Sequence, residues 1–263
     1  MLLLGGSQSQ PLRLLELADW SLVFETGVRR GVYSDTAFRV MATGDGSAIA
    51  GIRDFSAYGR HGTQSTGANQ GLFQRDLYPS NSVRHGLETN GTTCSYAVAS
   101  MPTGYTHIHG FAVLDWQGDD TPVTRGTFLS GNFAADGPIL RIAHTTDPVP
   151  GALIWSRSID GDSNTVLRYP AASALGKGLH IVEFRAASGS QYLRVDNNAP
   201  RTGTVVATYG TNAMQTFLSD PSGGQSWIGR SSLLYMRFGT SFLSDDVVTA
   251  VRANLGRRWG ISV

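Results

Sequence analysis

The sequence is poor in lysine, glutamate and cysteine, and each shortage excludes a class of protein. Of the 21 basic residues only Lys177 is a lysine, and only four of the 20 acidic residues are glutamate. Because Lys and Glu favour exposed helical faces, a mostly helical protein is excluded. The single cysteine, Cys94, cannot form an intrachain disulfide or a cysteine-based metal site. We expect Cys94 to be a buried structural thiol.

The net charge of the chain is also close to zero. The formal net charge is +1, and no block of like charges occurs, so the basic surface that a nucleic-acid or anionic-membrane partner requires is missing. The apolar run 1–4 ends at Gly5, too early for a signal-peptide core or a membrane span. We therefore expect no membrane insertion and no export signal, with release by lysis as the route to an extracellular location.

What the chain has in abundance is the composition of short strands and turns. Its 32 glycines, with many Thr, Ser and Val, are typical of strands joined by tight turns. The nearly continuous apolar segment 111–116 predicts a strand buried on both faces. Alternating segments predict a meander followed by a hairpin. These segments are 127–130, 139–143, 152–158 and 165–169, and then 179–186 with 191–196.

One helix is predicted at the end of the chain. Ser244 is the expected N-cap, and the carboxylates at 245–246 lie where the helix dipole is positive. The basic residues 257–258 follow at the negative end, and Gly260 suits a left-handed cap. An apolar stripe has helical spacing and is formed by Val247 or Val248, Val251 and Leu255.

These elements predict an all-β fold, a two-sheet antiparallel jelly-roll sandwich with one short C-terminal helix. The sandwich is expected to span 49–263 as one domain. Residues 1–48 are expected to form an irregular N-terminal arm and first strand, suited to assembly with or attachment to a neighbouring subunit.

The loop after the 111–116 strand is the first candidate ligand site. Asp115, Asp119 and Asp120 surround Trp116, so carboxylates could hold a hard cation or bind sugar hydroxyls while the indole stacks on a pyranose. The alternative is a solvated hairpin loop.

A second candidate is the outer face of the sheet that contains the predicted hairpin. Alternation places Glu183, Arg185, Tyr192 and Arg194 on that face, opposite an apolar core face. Trp155 and Arg157, on a strand of the preceding meander, are added to this candidate set. The row predicts a saccharide platform or, alternatively, a set of cross-strand ion pairs.

Metal sites have weaker support. Asp54, at the start of the glycine-containing segment 54–63, is expected to accept hydrogen bonds from a turn, with calcium binding as the alternative. His107 and His109 share a strand face, but without a third ligand nearby in sequence they are expected to be surface histidines. No cofactor is expected, with calcium left open.

In order, four segments resemble motifs of the concanavalin A-like lectin/glucanase superfamily, in its laminin-G-like branch found in bacterial and phage surface proteins. The first is the turn Asp54-Phe-Ser-Ala-Tyr-Gly-Arg-His-Gly-Thr63, and the second is Val83-Arg-His-Gly-Leu-Glu-Thr-Asn. The third is the strand pair Leu179-His-Ile-Val-Glu-Phe and Tyr192-Leu-Arg-Val-Asp. The fourth is the closing strand and helix, Trp227-Ile-Gly-Arg with Leu243-Ser-Asp-Asp and Trp259-Gly-Ile. The resemblance covers about residues 50–263 and implies the jelly roll. The Glu-x-Asp-x-x-Glu strand of the glucanases is absent.

The resemblance implies a non-enzymatic binding or structural module, a phage virion component such as a head or tail decoration, spike or fibre-associated subunit, with carbohydrate binding. Its expected partners are other virion proteins, through the arm, a cell-surface glycan, and copies of itself in an oligomer. One alternative is a polysaccharide-cleaving enzyme that uses carboxylates from separate segments. Those candidates are Asp115, Asp119, Asp120 and Glu183. Another is a purely structural shell protein.

Overall fold

In its described residues, the computed structural model shows two packed β-sheets and one α-helix. It describes residues 18–26, 29–74, 86–89, 93–98, 101–102, 104–120, 122, 126–131, 138–156, 166–204, 214–219 and 226–263. Within these ranges, each sheet has nine strands and all strand pairs are antiparallel. The all-β sandwich with a C-terminal helix is therefore confirmed.

Sheet A has the long strands at its centre. In spatial order its strands run β16-β15-β14-β9-β18-β7-β6-β3, and β1 pairs with β18 beyond the end of β7. The strands are β1 (Leu22–Phe24), β3 (Ala48–Ile49), β6 (Gly71–Gln74), β7 (Gly86–Glu88), β9 (His107–Trp116), β14 (Gly178–Ala187), β15 (Ser190–Val195), β16 (Arg201–Gly203) and β18 (Gly229–Gly239).

Sheet B packs on the inner face of sheet A. Its spatial order is β13-β12-β11-β10-β17-β8-β5-β4-β2. The strands are β2 (Val32–Tyr33), β4 (Gly51–Ile52), β5 (Gly62–Thr63), β8 (Tyr96–Val98), β10 (Thr127–Gly131), β11 (Ile139–Ile142), β12 (Leu153–Ser156), β13 (Val166–Tyr169) and β17 (Met214–Phe217). Short 3-10 helices occupy Arg29–Gly31 and Gly67–Asn69.

The main core lies between the sheets and is built by strand alternation. Val182 and Phe184 of β14 meet Leu193 and Val195 of β15 there, as the alternation predicts. Cys94 is also buried in this core, which confirms its expected place.

A second apolar layer lies on the outer face of sheet A, beneath helix α1 (Asp245–Trp259). The predicted stripe is confirmed, because Val248, Val251 and Leu255 are buried against sheet residues such as Phe111 and Ile181. Coverage by α1 explains why β9 is buried on both of its faces. No described helix is long and apolar enough to span a membrane.

The ends of α1 follow the sequence signals with one difference. Gly260 adopts the left-handed conformation at φ 69°, and its N–H bonds to the carbonyl of Gly256. Ser244 has the extended backbone of an N-cap, but its hydroxyl makes no capping hydrogen bond. The predicted side-chain cap is therefore wrong.

The expected N-terminal arm is largely part of the sandwich. Leu22–Phe24 pairs with β18, and Val32–Tyr33 pairs with β4. Trp20 packs against Phe111 and Tyr235 in the layer beneath α1. Residues 18–26 and 29–48 thus belong to the fold, which corrects the expected boundary after residue 48. Residues 1–17 lie outside the described part of the chain.

Candidate functional site

The two tryptophans proposed as sugar-stacking platforms are core residues. Trp116 is fully buried beside Trp227, with ring centroids 5.1 Å apart. Trp155 is fully buried against Phe184 at 4.7 Å, and its Nε1 donates to the carbonyl of Arg185. Neither indole presents a face to a ligand, so stacking by these two residues is excluded.

Glu183, expected on an open saccharide platform, is the centre of a buried charge network. It does face outward from sheet A, but α1 covers it and its exposed fraction is 0%. Its Oε1 lies 3.2 Å from Nε2 of His109 and 2.5 Å from Nη2 of Arg185, while Oε2 accepts from Nη1 of Arg252 on α1 at 3.3 Å. The open platform at Glu183 is therefore wrong. Its ion pairs are with Arg185 on the same strand and Arg252 on α1, and not with the cross-strand neighbour Arg194.

His109 is held as the neutral imidazole by its two partners. Its Nδ1 accepts a hydrogen bond from the N–H of Leu243, just before α1, so the ring proton must lie on Nε2 and point at Glu183. Burial lowers the pKa of His109, and the hydrogen bond to Glu183 only partly opposes that effect; the charges of Arg185 and Arg237 add to the lowering. The sheet thereby anchors the start of α1 through an uncharged histidine.

This arrangement predicts a loss of stability in mild acid. Because the folded pKa of His109 lies below its usual value of 6.5, the unfolded chain takes up more protons as the pH falls below 6.5. The free energy of unfolding should therefore decline from about pH 6.5 toward pH 5, and His109→Gln should flatten the decline. Guanidinium unfolding at a series of pH values measures both.

Two other groups with shifted pKa values, Glu183 and His61, also contribute to the pH dependence of stability. Burial would raise the pKa of Glu183, but the hydrogen bond from His109 and the charge of Arg185 hold it below 4.5, so its own contribution is lost only in stronger acid. Burial also lowers the pKa of His61. The free energy of unfolding of the His109→Gln variant should therefore still decline as the pH falls, but less steeply than that of the unsubstituted protein. His144→Gln, at a half-buried loop histidine, is the control, and an equal flattening in that variant would contradict the assignment to His109.

The other predicted ligand residues do not converge on one site. Arg185 and Tyr192 are half-buried and stack at 4.6 Å, while the Arg194 guanidinium donates to the carbonyl of Asn198. Asp119 and Asp120 are exposed on their loop, with Asp119 3.8 Å from Nζ of Lys177. Arg157 lies outside the described residues.

Of the four carboxylates proposed for hydrolysis, Asp115 and Glu183 are too far apart to act together. In the register of β9 and β14, Asp115 faces Leu179, and Glu183 lies four residues further along β14. At about 3.4 Å per residue the two positions are roughly 14 Å apart along the strand, beyond the separations that glycoside hydrolysis uses. Asp115 is also buried and bonded to Gln117, so this pair does not form a hydrolytic site.

Asp54 is occupied by the turn that it organises. Its two carboxylate oxygens accept hydrogen bonds from the N–H groups of Val23, Ser56 and Arg60 and from the Ser56 hydroxyl. The geometry therefore agrees with the turn interpretation. No three His, Cys, Asp or Glu side chains converge as a metal-binding group within the described residues.

An open surface crosses the outer face of sheet B. Because the strands alternate, the residues opposite the main core form a transverse row in register. The row reads Tyr33, Gly51, Thr63, Ala97 and Thr216, on β2, β4, β5, β8 and β17. One aromatic residue followed by small ones leaves a trough in the sheet surface.

The loop of residues 34–40 lies in this trough and divides it. Asp35 holds the loop closed by accepting hydrogen bonds from the N–H groups of Ala37, Arg39 and Val40, and the bond from Val40 contributes most to lowering the pKa of Asp35. A Cβ on Gly51 would lie 2.8 Å from the Phe38 ring, so the close approach of the loop requires glycine there.

On one side of the 34–40 loop is the polar concavity, about 480 Å³ in volume. It is lined by Thr36, Thr63, Gln64, Ser65, Ser95, Ala97 and Thr216. The amide of Gln64 is engaged with Ser95 and Thr66. The hydroxyls of Thr36, Thr63 and Ser65 make no hydrogen bond to any described residue, so they can bind a polar ligand.

On the other side is the aromatic concavity, about 440 Å³ in volume. It is lined by Tyr33, Phe38, Arg53, Asp54, Ser56, Ala57, Gly59 and His61. Phe38 contacts Tyr33 and His61, with centroids 5.3 and 4.5 Å away. Exposed aromatic surface continues near the wall at Tyr58, which is 50% exposed and packs under the guanidinium of Arg60.

Neither concavity is predicted from the sequence. The sequence predicts a turn, or alternatively a calcium site, for segment 54–63, although its aromatic and basic residues, among them Tyr58 and His61, are also a signal for ligand binding. The remaining walls come from residues 33–38, 95–97 and 216, which no sequence period connects.

Comparison with known proteins supports the fold. No protein-family model and no curated protein matches the chain. An arabinofuranosidase complexed with arabinofuranosyl-α-1,2-xylobiose has a TM-score of 0.64 at 13% identity, over 97% of this chain and 66% of that chain. An α-L-arabinofuranosidase soaked with a cyclic sulfate inhibitor has a TM-score of 0.62 at 13% identity, over 94% and 64%.

A third similar structure is the receptor binding domain of botulinum neurotoxin D. Its TM-score is 0.55 at 12% identity, over 95% of this chain and 57% of that chain. The chain spans less than two thirds of the length of each of these three proteins. The similarities show a β-sandwich fold shared with carbohydrate-active and receptor-binding proteins.

Proposed function

We propose that this protein is a non-enzymatic glycan-binding module whose binding surface is the outer face of sheet B. The observation that carries the proposal is the pair of adjoining concavities on either side of the 34–40 loop. One offers hydroxyls and the other offers aromatic rings. A sugar chain presents the complementary features, because a pyranose has both hydroxyl groups and an apolar face.

The outer faces of the two sheets differ in which side chains a ligand can reach. On sheet A, α1 covers the centre of the outer face and buries Glu183 and Phe111. On sheet B, the described residues from β2 to β17 include free hydroxyls and a half-buried Phe38 ring. Each concavity falls within the few hundred Å³ that small-ligand sites occupy.

A microarray of bacterial and mammalian glycans tests the proposal, with affinities of the bound glycans measured by calorimetry. We expect selective binding, and we expect Thr63→Val to weaken it about fivefold, because valine keeps the shape of the strand position but removes a hydroxyl. Thr202→Val, on the exposed edge strand β16, should leave the affinity unchanged. Absence of any array signal, or equal loss in both variants, would overturn the proposal.

We further propose that the module is a phage virion component, assembled with other virion proteins and with copies of itself. Its support is the resemblance of the sequence motifs to the branch found in phage surface proteins. Because residues 18–26 and 29–48 are built into the sandwich, we do not propose attachment through them. Antibody labelling of particles released by lysis tests it, and label confined to the soluble fraction would contradict it.

A polysaccharide-cleaving enzyme is the second candidate, favoured by the TM-scores of 0.64 and 0.62 to arabinofuranosidases. The separation and burial of Asp115 and Glu183 oppose it. Incubation with 4-nitrophenyl α-L-arabinofuranoside and with the glycans bound on the array separates the two candidates. We expect no product above the buffer rate, and sustained turnover would replace the binding-module proposal.

A further inference from the structure

The aromatic concavity contains hydrogen-bond donors for which the protein supplies no acceptor. The guanidinium of Arg53 is exposed, and its contact within the described residues is the ring of Phe55, 5.6 Å from Cζ. Among the described residues, no carboxylate forms an ion pair with Arg53. Since Arg carries five N–H donors and a permanent charge, Arg53 is available to an anionic ligand.

His61 supplies a second donor in the same wall. Its Nδ1 accepts the backbone N–H of Asp54 at 3.0 Å, so the neutral ring must carry its proton on Nε2. Burial lowers the pKa of His61 and so favours the neutral form; the charge of Asp54 opposes this effect, and that of Arg53 adds to it. The Nε2–H has no acceptor among the described residues, and the ring is half-buried against Phe38.

The one carboxylate that lines this concavity cannot satisfy these donors. Asp54 is 3% exposed, and its oxygens already accept hydrogen bonds from three backbone N–H groups and a hydroxyl. The Ser56 hydroxyl donates to that same carboxylate. The concavity therefore has an excess of donors, beside the ring of Phe38.

We infer that Arg53 and the Nε2–H of His61 form a subsite for the carboxylate of an acidic sugar. The ligand class is a carboxylated pyranose, either a uronic acid or a sialic acid. Phe38 would contact the apolar face of the ring while the guanidinium binds the carboxylate. This inference rests on the proposed function and specifies the ligand of one of its two concavities.

Titration of the full chain with D-galacturonic acid, D-galactose and N-acetylneuraminic acid, followed by NMR at low salt, tests the inference. Galactose is the matched probe, because it differs from galacturonic acid in having a hydroxymethyl group in place of the carboxylate. We expect at least one acidic sugar to bind about tenfold more tightly than galactose, with the preference falling as salt rises. Which acidic sugar binds identifies the source of the carboxylate.

Two arginine variants test whether the preference for acidic sugars depends on Arg53. Arg53→Gln removes an exposed charge and should abolish the acidic preference without changing the melting temperature. Arg39→Gln removes an equal charge from the neighbouring 34–40 loop, outside the lining residues, and should keep the preference. Equal binding of galacturonic acid and galactose, or equal loss in both variants, would overturn the inference while array binding sustains the proposed function. A blank array would overturn the proposed function itself.

Discussion

Replacing Glu183 with glutamine is expected to lower the free energy of unfolding by about 3 to 5 kcal/mol. The side chain of Glu183 is fully buried, and the variant leaves the charges of Arg185 and Arg252 without their shared counter-charge. Arg252 belongs to α1, so the helix loses its ionic contact with the sheet as well. Guanidinium unfolding at pH 7 measures the loss as a lower midpoint with an unchanged slope.

The control for Glu183→Gln is a substitution in a solvent-exposed ion pair. Asp119 and Lys177 lie 3.8 Å apart, and both are largely exposed, so Asp119→Asn should leave the midpoint unchanged. If Glu183→Gln were equally silent, the network beneath α1 would contribute nothing to stability and the proposed anchoring of the helix would be wrong.

The second large effect is expected at Gly229, where Gly229→Ala should destabilise the fold by about 4 kcal/mol. Gly229 has φ 134°, a backbone conformation that L residues rarely adopt, and a Cβ there would overlap the backbone oxygen of Asp115. Neither the strand nor the neighbouring β9 can move without breaking the centre of sheet A. The loss is measured by the same denaturant titration.

Gly178 offers a matched comparison. It has the same φ of 134° and pairs with the same residue, Trp116, from the opposite side, but a Cβ at this position meets nothing within 4 Å. Gly178→Ala should therefore show only the backbone strain, about 1 to 3 kcal/mol. A Gly229→Ala variant no less stable than Gly178→Ala would show that strand contacts relax around the methyl group.

Local patterns predicted the elements well because they depend on neighbours in sequence. Alternation in 179–186 and 191–196 identified the hairpin of β14 and β15, and helical spacing located the buried face of α1. The same alternation placed Glu183 on the correct face of its strand. Each of these conclusions needed only one strand pair or one helix.

The environment of those faces could not be predicted, because it depends on residues far away in the chain. Whether Glu183 meets solvent is decided by Arg252 on a helix about 70 positions later. The sequence places Trp116 at the end of a strand beside carboxylates, where its ring could meet a ligand, yet the glycines at 118 and 126 leave room for the ring in the core. The two concavities likewise require β5, β8 and β17 to be neighbours.

The pairing of β1 with β18 sets a condition on biosynthesis. Leu22 opposes Met236, so the first described strand cannot pair with β18 until more than 200 further residues have been made. At ribosomal rates of about 5 to 20 residues per second, this interval lasts roughly 10 to 40 s. During it, the apolar segment Leu22–Phe24 is available to chaperones and to other nascent chains. The centre of sheet A can therefore be completed only after β18 has been translated.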